Sequence, residues 1–220
     1  MKFIHLASKV AVSRILRHGL RMGSGQRGRG IYAVPMMRMR RVSSWDEEQG
    51  TRRVASELSL SLADLWKHVL FSSAGRGRRP IAIVFEPPPA CWPVELFLEV
   101  PIRHAARFLA SMRAHRAAGV EVGEENAQIV ESILASEDNQ AEWIVGFEVH
   151  AASSRAAGLV LRDHVQLSSG VLARGGEHME AVFRAPIPPR AIRKVVAMSR
   201  PDGKADARAR AMTTDIGSDD

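Results

Sequence analysis

Three polar side chains interrupt apolar runs of the chain, and they are the first candidates for chemistry. His5 stands in the middle of the first apolar run, where an imidazole is costly unless it is paired. Tyr32 is the only tyrosine and closely follows a glycine-rich loop. Glu180 stands near the start of a late apolar run, which suits the rim of a cleft better than a core. Taken singly, His5 also fits a paired structural histidine and Tyr32 a packed core tyrosine.

A second carboxylate has a similar setting. Glu148 stands in the middle of the run Gly146-Phe147-Glu148-Val149-His150, which predicts another strand with an acid inside it. The turn Ile187-Pro188-Pro189 and the closing strand that follow Glu180 belong to the family resemblance described below, and that resemblance favours Glu180 over Glu148 as the reactive acid. Glu148 stays the alternative.

Several common motifs are absent or in the wrong setting. Gly23–Gly28 matches the dinucleotide-binding pattern G-x-G-x-x-G, but a helix precedes it and a strand follows, which reverses the order that the site needs. We therefore interpret this segment as a mobile basic loop. The eight histidines form no H-x-x-x-H pair, and the single cysteine, Cys91, excludes a disulfide framework and a multi-cysteine zinc site. We expect no metal. The serine-hydrolase motif G-x-S-x-G is also missing.

The elements that position these residues follow from hydrophobic periodicity and from glycine and proline punctuation. The pattern predicts helices ending at Gly19 and spanning Leu58–Leu70, Ile102–Ala118 and Glu124–Ala135. It predicts strands at Phe3–Leu6, Ile31–Val34, Ile81–Phe85, Val94–Val100, Trp143–Val149, Gly158–Leu161, Met179–Phe183 and Arg193–Met198. We expect one α+β domain over residues 1–200, with a basic excursion at 36–56 and a disordered tail at 201–220.

Composition narrows the class of protein. The chain has 220 residues, a formal net charge of +7 and no apolar run near the roughly 20 residues of a membrane span. We therefore expect a cytoplasmic protein without a membrane partner, and the charge favours an anionic partner such as RNA or DNA. Residues 1–45 hold ten Lys or Arg and no acid, which also fits an organellar transit peptide. The helix that the pattern predicts to end at Gly19 favours a folded N-terminal segment instead.

Five short blocks together resemble a known family. They are Phe3-Ile4-His5-Leu6-Ala7, Ile15-Leu16-Arg17-His18-Gly19-Leu20, Arg29-Gly30-Ile31-Tyr32-Ala33-Val34-Pro35, Glu180-Ala181-Val182-Phe183 and Ile187-Pro188-Pro189-Arg190-Ala191-Ile192. The first three blocks in their order and spacing, and the last two as a shorter match, resemble the ADP-ribosyltransferase superfamily, in the histidine–tyrosine–glutamate branch that includes the poly-ADP-ribose polymerases and some bacterial nucleic-acid-modifying toxins. The resemblance implies a domain in which two small sheets form a split cleft, with helices around them, and in which NAD⁺ is the co-substrate.

The resemblance also implies a role for each residue. His5 would hydrogen-bond the adenosine-side ribose, Tyr32 would stack on the nicotinamide, and the backbone of Leu6 would hold the carboxamide. Glu180 would bind the nicotinamide ribose and face the oxocarbenium that forms as nicotinamide leaves. A carboxylate so placed stabilises the transition state more than the ground state. Arg14 and Arg17 are candidates for the pyrophosphate, although both also fit the surface of the first helix.

Two other functions stay open. An RNA 2′-phosphotransferase-like enzyme would keep the fold and the NAD⁺ but change the reaction. A non-enzymatic, basic nucleic-acid-binding module would need only the many arginines, although 5% aromatic residues give few platforms for base stacking. The leading hypothesis is an ADP-ribosyltransferase whose acceptor is a nucleic acid or otherwise a protein; the oligomeric state stays open.

Overall fold

The computed structural model describes residues 1–25, 27–36, 80–135, 144–168 and 179–197, which form nine strands and four α-helices. The strands are β1 (Phe3–Ser8), β2 (Gly23–Gly25), β3 (Gly28–Pro35), β4 (Pro80–Phe85), β5 (Val94–Pro101), β6 (Val120–Val122), β7 (Ile144–Ala151), β8 (Met179–Phe183) and β9 (Ile192–Ala197). The helices are α1 (Val12–His18), α2 (Ile102–Ala114), α3 (Glu124–Ala135) and α4 (Ser154–Ser168). The predictions for Leu58–Leu70, for nearly all of 36–56 and for 201–220 fall outside the described residues.

The strands join into one antiparallel sheet with the order β6-β7-β5-β8-β3-β1-β4-β9, and β2 pairs with β3 as a hairpin. Neighbours in this sheet are distant in sequence. Strand β8, from the last third of the chain, lies between β3 and β5. The mixed α+β class is therefore confirmed. No helix in the described ranges combines the length and apolarity needed to cross a bilayer.

The core lies on the face of the sheet that the long helices cover. Helices α2, α3 and α4 pack on the β5–β7 side, where Phe108 and Phe147 meet edge to face with ring centroids 4.9 Å apart. At the other end of the core, Phe3 contacts Phe85 and Phe183 with centroids 5.8 Å and 4.9 Å away. Such aromatic pairs stabilise the fold beyond the area that they bury.

Strands β1 and β3 are joined over a short length. Their pairing comprises Phe3 with Pro35 and Ile4 with Val34, whereas β1 pairs with β4 along all six of its residues. After Ile4, it is the side chain of His5 that reaches β3, with its Nδ1 2.7 Å from the Tyr32 carbonyl oxygen. The ladder between β1 and β3 therefore gives way to a side-chain contact at His5.

Most predicted elements in the described ranges are confirmed, but helix α2, predicted over Ile102–Ala118, ends at Ala114, and the segment Gly23–Gly28, interpreted as a loop, contains strand β2. Helix α3 has the predicted bounds, and Gly19 ends α1 with a φ of 78° and its N–H on the Ile15 carbonyl. The strand predicted at Gly158–Leu161 is wrong, because these residues lie inside α4. Val160 and Leu161 are buried with Ala156, Ala157 and His164, a helical spacing that fills one face of α4.

Candidate functional site

The His5 side chain lies where β1 and β3 part. A carbonyl oxygen only accepts hydrogen bonds, so Nδ1 of His5 donates to Tyr32 O. Burial lowers the pKa of His5, and the bond to Tyr32 opposes this effect without cancelling it. The imidazole is therefore neutral at neutral pH, and its Nε2 is a hydrogen-bond acceptor. Such an acceptor suits a hydroxyl group.

The Tyr32 side chain is held by the turn between β2 and β3. Its hydroxyl donates to the Gly28 carbonyl at 2.6 Å and accepts from the Arg27 backbone N–H at 3.0 Å. Gly25 lies against the ring, because a Cβ there would come within 2.3 Å of it. Hydroxyl and ring together therefore fix this hairpin against β3.

Glu180 lies on β8, beside the strand that carries Tyr32. Tyr32 pairs with Val182, and Glu180 is two residues from Val182, so alternation places it on the same face of the sheet as Tyr32. Its side chain is 23% exposed, and its Oε2 is 3.8 Å from Nε of Arg27. The carboxylate is thus partly accessible and paired with a guanidinium.

One face of the sheet collects the candidate acids. Glu180 pairs with Phe97 on β5, and Phe97 pairs with Glu148 on β7, so the three form one row. This row points away from the core face, whose strands carry the buried Leu96 and Val149. We call the face that bears Tyr32, Glu180, Phe97 and Glu148 the distal face. Glu148 is two strand spacings, or about 10 Å, from Glu180.

The structure brings some predicted residues together and not others. His5, Tyr32 and Glu180 lie on β1, β3 and β8, but His5 alternates with Ile4 and so shares the core-side face of Phe3. His5 therefore meets Tyr32 through the Tyr32 backbone rather than ring to ring.

Leu6, Arg14 and Arg17 have different settings. Leu6 pairs with Ala82 of β4 and lies two residues beyond the end of the β1–β3 pairing. Arg14 and Arg17 are exposed on α1, and within the described residues no hydrogen bond or ion pair joins them to His5, Tyr32 or Glu180.

Glu148 has its own partner. Its Oε1 is 3.4 Å from Nε2 of His150, and both side chains are more than a third exposed. His150 also pairs with Glu95 across β5 and β7. The alternative acid is therefore on the distal face as well, but it lies farther from Tyr32 than Glu180 does.

Four residues of the distal face are not among the candidates chosen from the sequence: Arg27, Phe97, Arg184 and Glu95. Arg27 belongs to the segment that the sequence indicates as a mobile loop, yet its guanidinium lies 3.7 Å above the centroid of the Phe97 ring. Arg184 donates to Glu95 at 2.7 Å and to the Arg29 carbonyl at 2.9 Å, and the bond to Glu95 raises the pKa of Arg184. Only strand pairing brings these residues together, so no local pattern signals them.

Neither the comparisons with known proteins nor a group of metal-binding side chains assigns a function to the chain directly. Comparison of the chain with protein-family models, with curated proteins and with solved structures finds no match. The described part of the chain holds no group of three or more histidine, cysteine or acidic side chains arranged to bind a metal ion. Function is therefore argued from the residues of the site.

Proposed function

We propose that this protein is an NAD⁺-dependent ADP-ribosyltransferase in which Glu180 is the catalytic carboxylate. One observation supports it above all: three residues chosen from the sequence lie on β1, β3 and β8, which are consecutive in the sheet, although the His5 side chain is on the core-side face and those of Tyr32 and Glu180 are on the distal face. Tyr32 and Glu180 are 148 positions apart, so nothing local to either forces this arrangement.

In this proposal the split between β1 and β3 is the NAD⁺ cleft. One small sheet is then β1-β4-β9, and the other is β3-β8-β5-β7-β6. The neutral His5 supports a ribose contact, because its Nε2 accepts a hydrogen bond from a hydroxyl. The backbone of Leu6 lies beyond the end of the β1–β3 ladder, and in this proposal it binds the carboxamide. Tyr32 supplies the ring for the nicotinamide.

The chemistry assigned to Glu180 is stabilisation of positive charge. The N-glycosidic bond of NAD⁺ breaks and its electron pair leaves with nicotinamide, so the ribose becomes an oxocarbenium. A carboxylate that hydrogen-bonds the ribose hydroxyl stabilises this cation more than it stabilises bound NAD⁺. An acceptor atom then forms the bond to the ribose carbon and loses its proton. The partial exposure of Glu180 is compatible with access by both reactants.

The acceptor is proposed to be a nucleic acid, with a protein as the other arm of the test. The net charge of +7 supports a polyanionic partner. The arginines of 36–56 and 75–80 carry much of that argument, and nearly all of these residues lie outside the described ranges.

The test is to incubate the purified full chain with NAD⁺ labelled in its adenylate half and with cell lysate. Label in RNA or DNA that survives protease supports a nucleic-acid acceptor, whereas label in protein that survives nuclease supports a protein acceptor. A Glu180→Gln chain is the matched control for labelling by contaminants. Transfer of a phosphate without stable label would instead indicate the phosphotransferase-like reaction, and no NAD⁺ consumption with any acceptor would contradict the proposal.

A further inference from the structure

The guanidinium of Arg27 fills the space beside the candidate catalytic acid. Its Cζ lies 3.7 Å above the centre of the Phe97 ring, and its Nε lies 3.8 Å from Glu180 Oε2. A guanidinium over an aromatic face and beside a carboxylate makes a cation–π interaction with the ring and an ion pair with the acid. Phe97 is 8% exposed although it points away from the core, so the arginine helps to cover its ring.

The backbone of the β2–β3 turn aims Arg27 at this space. The Arg27 N–H is bound to the Tyr32 hydroxyl, which is itself bound to Gly28. At Gly25 there is no room for a side chain beside the Tyr32 ring, because a Cβ there would lie 2.3 Å from ring carbons. The side chain of Arg27 therefore starts from a fixed point on the distal face.

The filled space lies on the side of Glu180 where an acceptor must enter, if the proposed function holds. Tyr32, on β3, marks the nicotinamide side, and Phe97, on β5, lies on the other side of Glu180. Glu148 continues the same row beyond Phe97. The Phe97 ring is thus the floor of a slot with a carboxylate on each side, and Arg27 occupies it.

We propose that this slot is a guanidinium-binding site which Arg27 occupies in cis, so that Arg27 gates the acceptor side of the site and leaves when an acceptor binds. The gating role rests on the proposed function; the guanidinium site does not. Arg27 is 48% exposed, and contacts of both kinds are weak at such exposure, so an incoming ligand can displace the side chain.

The first experiment needs no NAD⁺. Agmatine, a small guanidinium, is titrated at millimolar concentration into the full chain with ¹³C-labelled phenylalanine rings, and the Phe97 resonances are followed by NMR. Arg27→Ala vacates the slot, so agmatine should shift Phe97 in that variant and not in the wild type. Arg29→Ala, an exposed arginine of the same hairpin, is the matched control and should behave like the wild type. A Phe97 shift in Arg27→Ala no larger than in Arg29→Ala overturns the guanidinium site.

The second experiment tests the gate in the transferase assay. For an acceptor that enters through the slot, Arg27→Ala and Arg27→Gln should lower KM at least about threefold, because they remove the side chain that occupies the slot. A higher acceptor KM in both variants overturns the gate and makes Arg27 an acceptor contact. If the wild type consumes no NAD⁺, the proposed function fails, while the agmatine shift still decides the guanidinium site.

Discussion

At the scale of single residues, His164 shows most clearly how burial sets chemistry. Its side chain is fully buried, its Nε2 donates to the Glu99 carbonyl at 2.8 Å, and its Nδ1 has no partner among the described residues. Burial lowers the pKa of His164, and the contacts with Glu99 oppose this effect in part. Protonation would place a charged N–H where nothing accepts its hydrogen bond, so the folded state keeps the imidazole neutral.

This assignment predicts acid sensitivity near pH 6. The unfolded chain takes up a proton below the ordinary histidine pKa of 6.5 while the folded chain does not, so stability falls as pH falls from 6.5 toward the folded-state pKa. Each such histidine contributes at most about 1.4 kcal/mol per pH unit. His5, whose pKa is also lowered by burial, adds to the slope.

Urea unfolding between pH 7.5 and 5.5 measures the slope for the wild type and for His164→Gln. The variant should have the shallower slope, whatever its absolute stability. Equal slopes in the two proteins would show that His164 titrates alike in both states.

The contacts of Tyr32 predict different effects on NAD⁺ affinity when its whole ring or only its hydroxyl group is removed. If Tyr32 stacks on the nicotinamide as proposed, Tyr32→Ala should weaken NAD⁺ binding about three- to tenfold, since an aromatic contact contributes about 0.5–1.5 kcal/mol. Tyr32→Phe keeps the ring but loses the bonds to Arg27 and Gly28, so NAD⁺ affinity should stay close to the wild type while the hairpin loosens. Calorimetric titration with NAD⁺ checks both variants, and equal losses would mean that the ring does not stack.

At the scale of elements, one acid ties two helices together. Asp163 of α4 accepts hydrogen bonds from Ser111 and, at 2.8 Å, from His115, both on or just after α2. Burial alone would raise the pKa of Asp163, but Ser111, His115 and Arg162 together outweigh it and the pKa is lowered. The link therefore contributes stability above the ordinary carboxyl pKa, and this contribution is lost as pH falls through the folded-state value.

Asp163→Asn should cost about 1–3 kcal/mol of unfolding free energy, because hydrogen bonds to a charged, mostly buried acceptor are replaced by weaker ones. Glu131→Gln is the control, since its 2.8 Å pair with Arg113 is about half exposed on both sides and surface pairs contribute little. Denaturant unfolding at pH 7 compares the two. An Asp163→Asn cost no larger than the Glu131→Gln cost would contradict the proposed link.

Helices and strands could be predicted from the sequence where hydrophobic periodicity agreed with the glycine and proline signals. Helix α2 begins at Ile102 as the pattern predicts, and its helical spacing buries Ile102, Ala105, Leu109 and Met112. At Gly158–Leu161 the local signal was ambiguous, because a short apolar run suits a buried strand and a buried helix face equally. Strand β2 could not be predicted, because its three residues are glycine and serine and show no strand periodicity. It forms a strand because it pairs with β3.

At the scale of the whole molecule, the order of the strands determines which candidate residues become neighbours. That order depends on pairing between strands that are far apart in the sequence. The sequence supplied His5, Tyr32 and Glu180 as candidates, and the insertion of β8 between β3 and β5 makes Glu180 a neighbour of Tyr32. The same insertion gives Glu180 its contact with Arg27. No periodicity or spacing carries such long-range pairing, which is why the candidates could be chosen from the sequence and their surroundings could not.

Net charge makes a prediction at the same scale. If the +7 chain contacts the phosphates of an acceptor strand, the logarithm of its affinity should fall linearly with the logarithm of salt concentration. Fluorescence anisotropy with single-stranded RNA and DNA at several salt concentrations measures the slope. Binding that ignores salt, or no binding, would favour a protein acceptor.

The central claim is that Glu180 is the carboxylate that stabilises the oxocarbenium. It is tested most directly by kcat for nicotinamide release, measured beside the NAD⁺ dissociation constant, in the wild type, Glu180→Gln and Glu148→Gln. Glu180→Gln keeps the shape and removes the charge, so kcat should fall about a hundredfold or more while the dissociation constant changes about threefold or less. Glu148→Gln, the neighbour in the same row, should retain most of the wild-type kcat. Loss of activity in Glu148→Gln with Glu180→Gln intact, or no loss in either, would contradict the account.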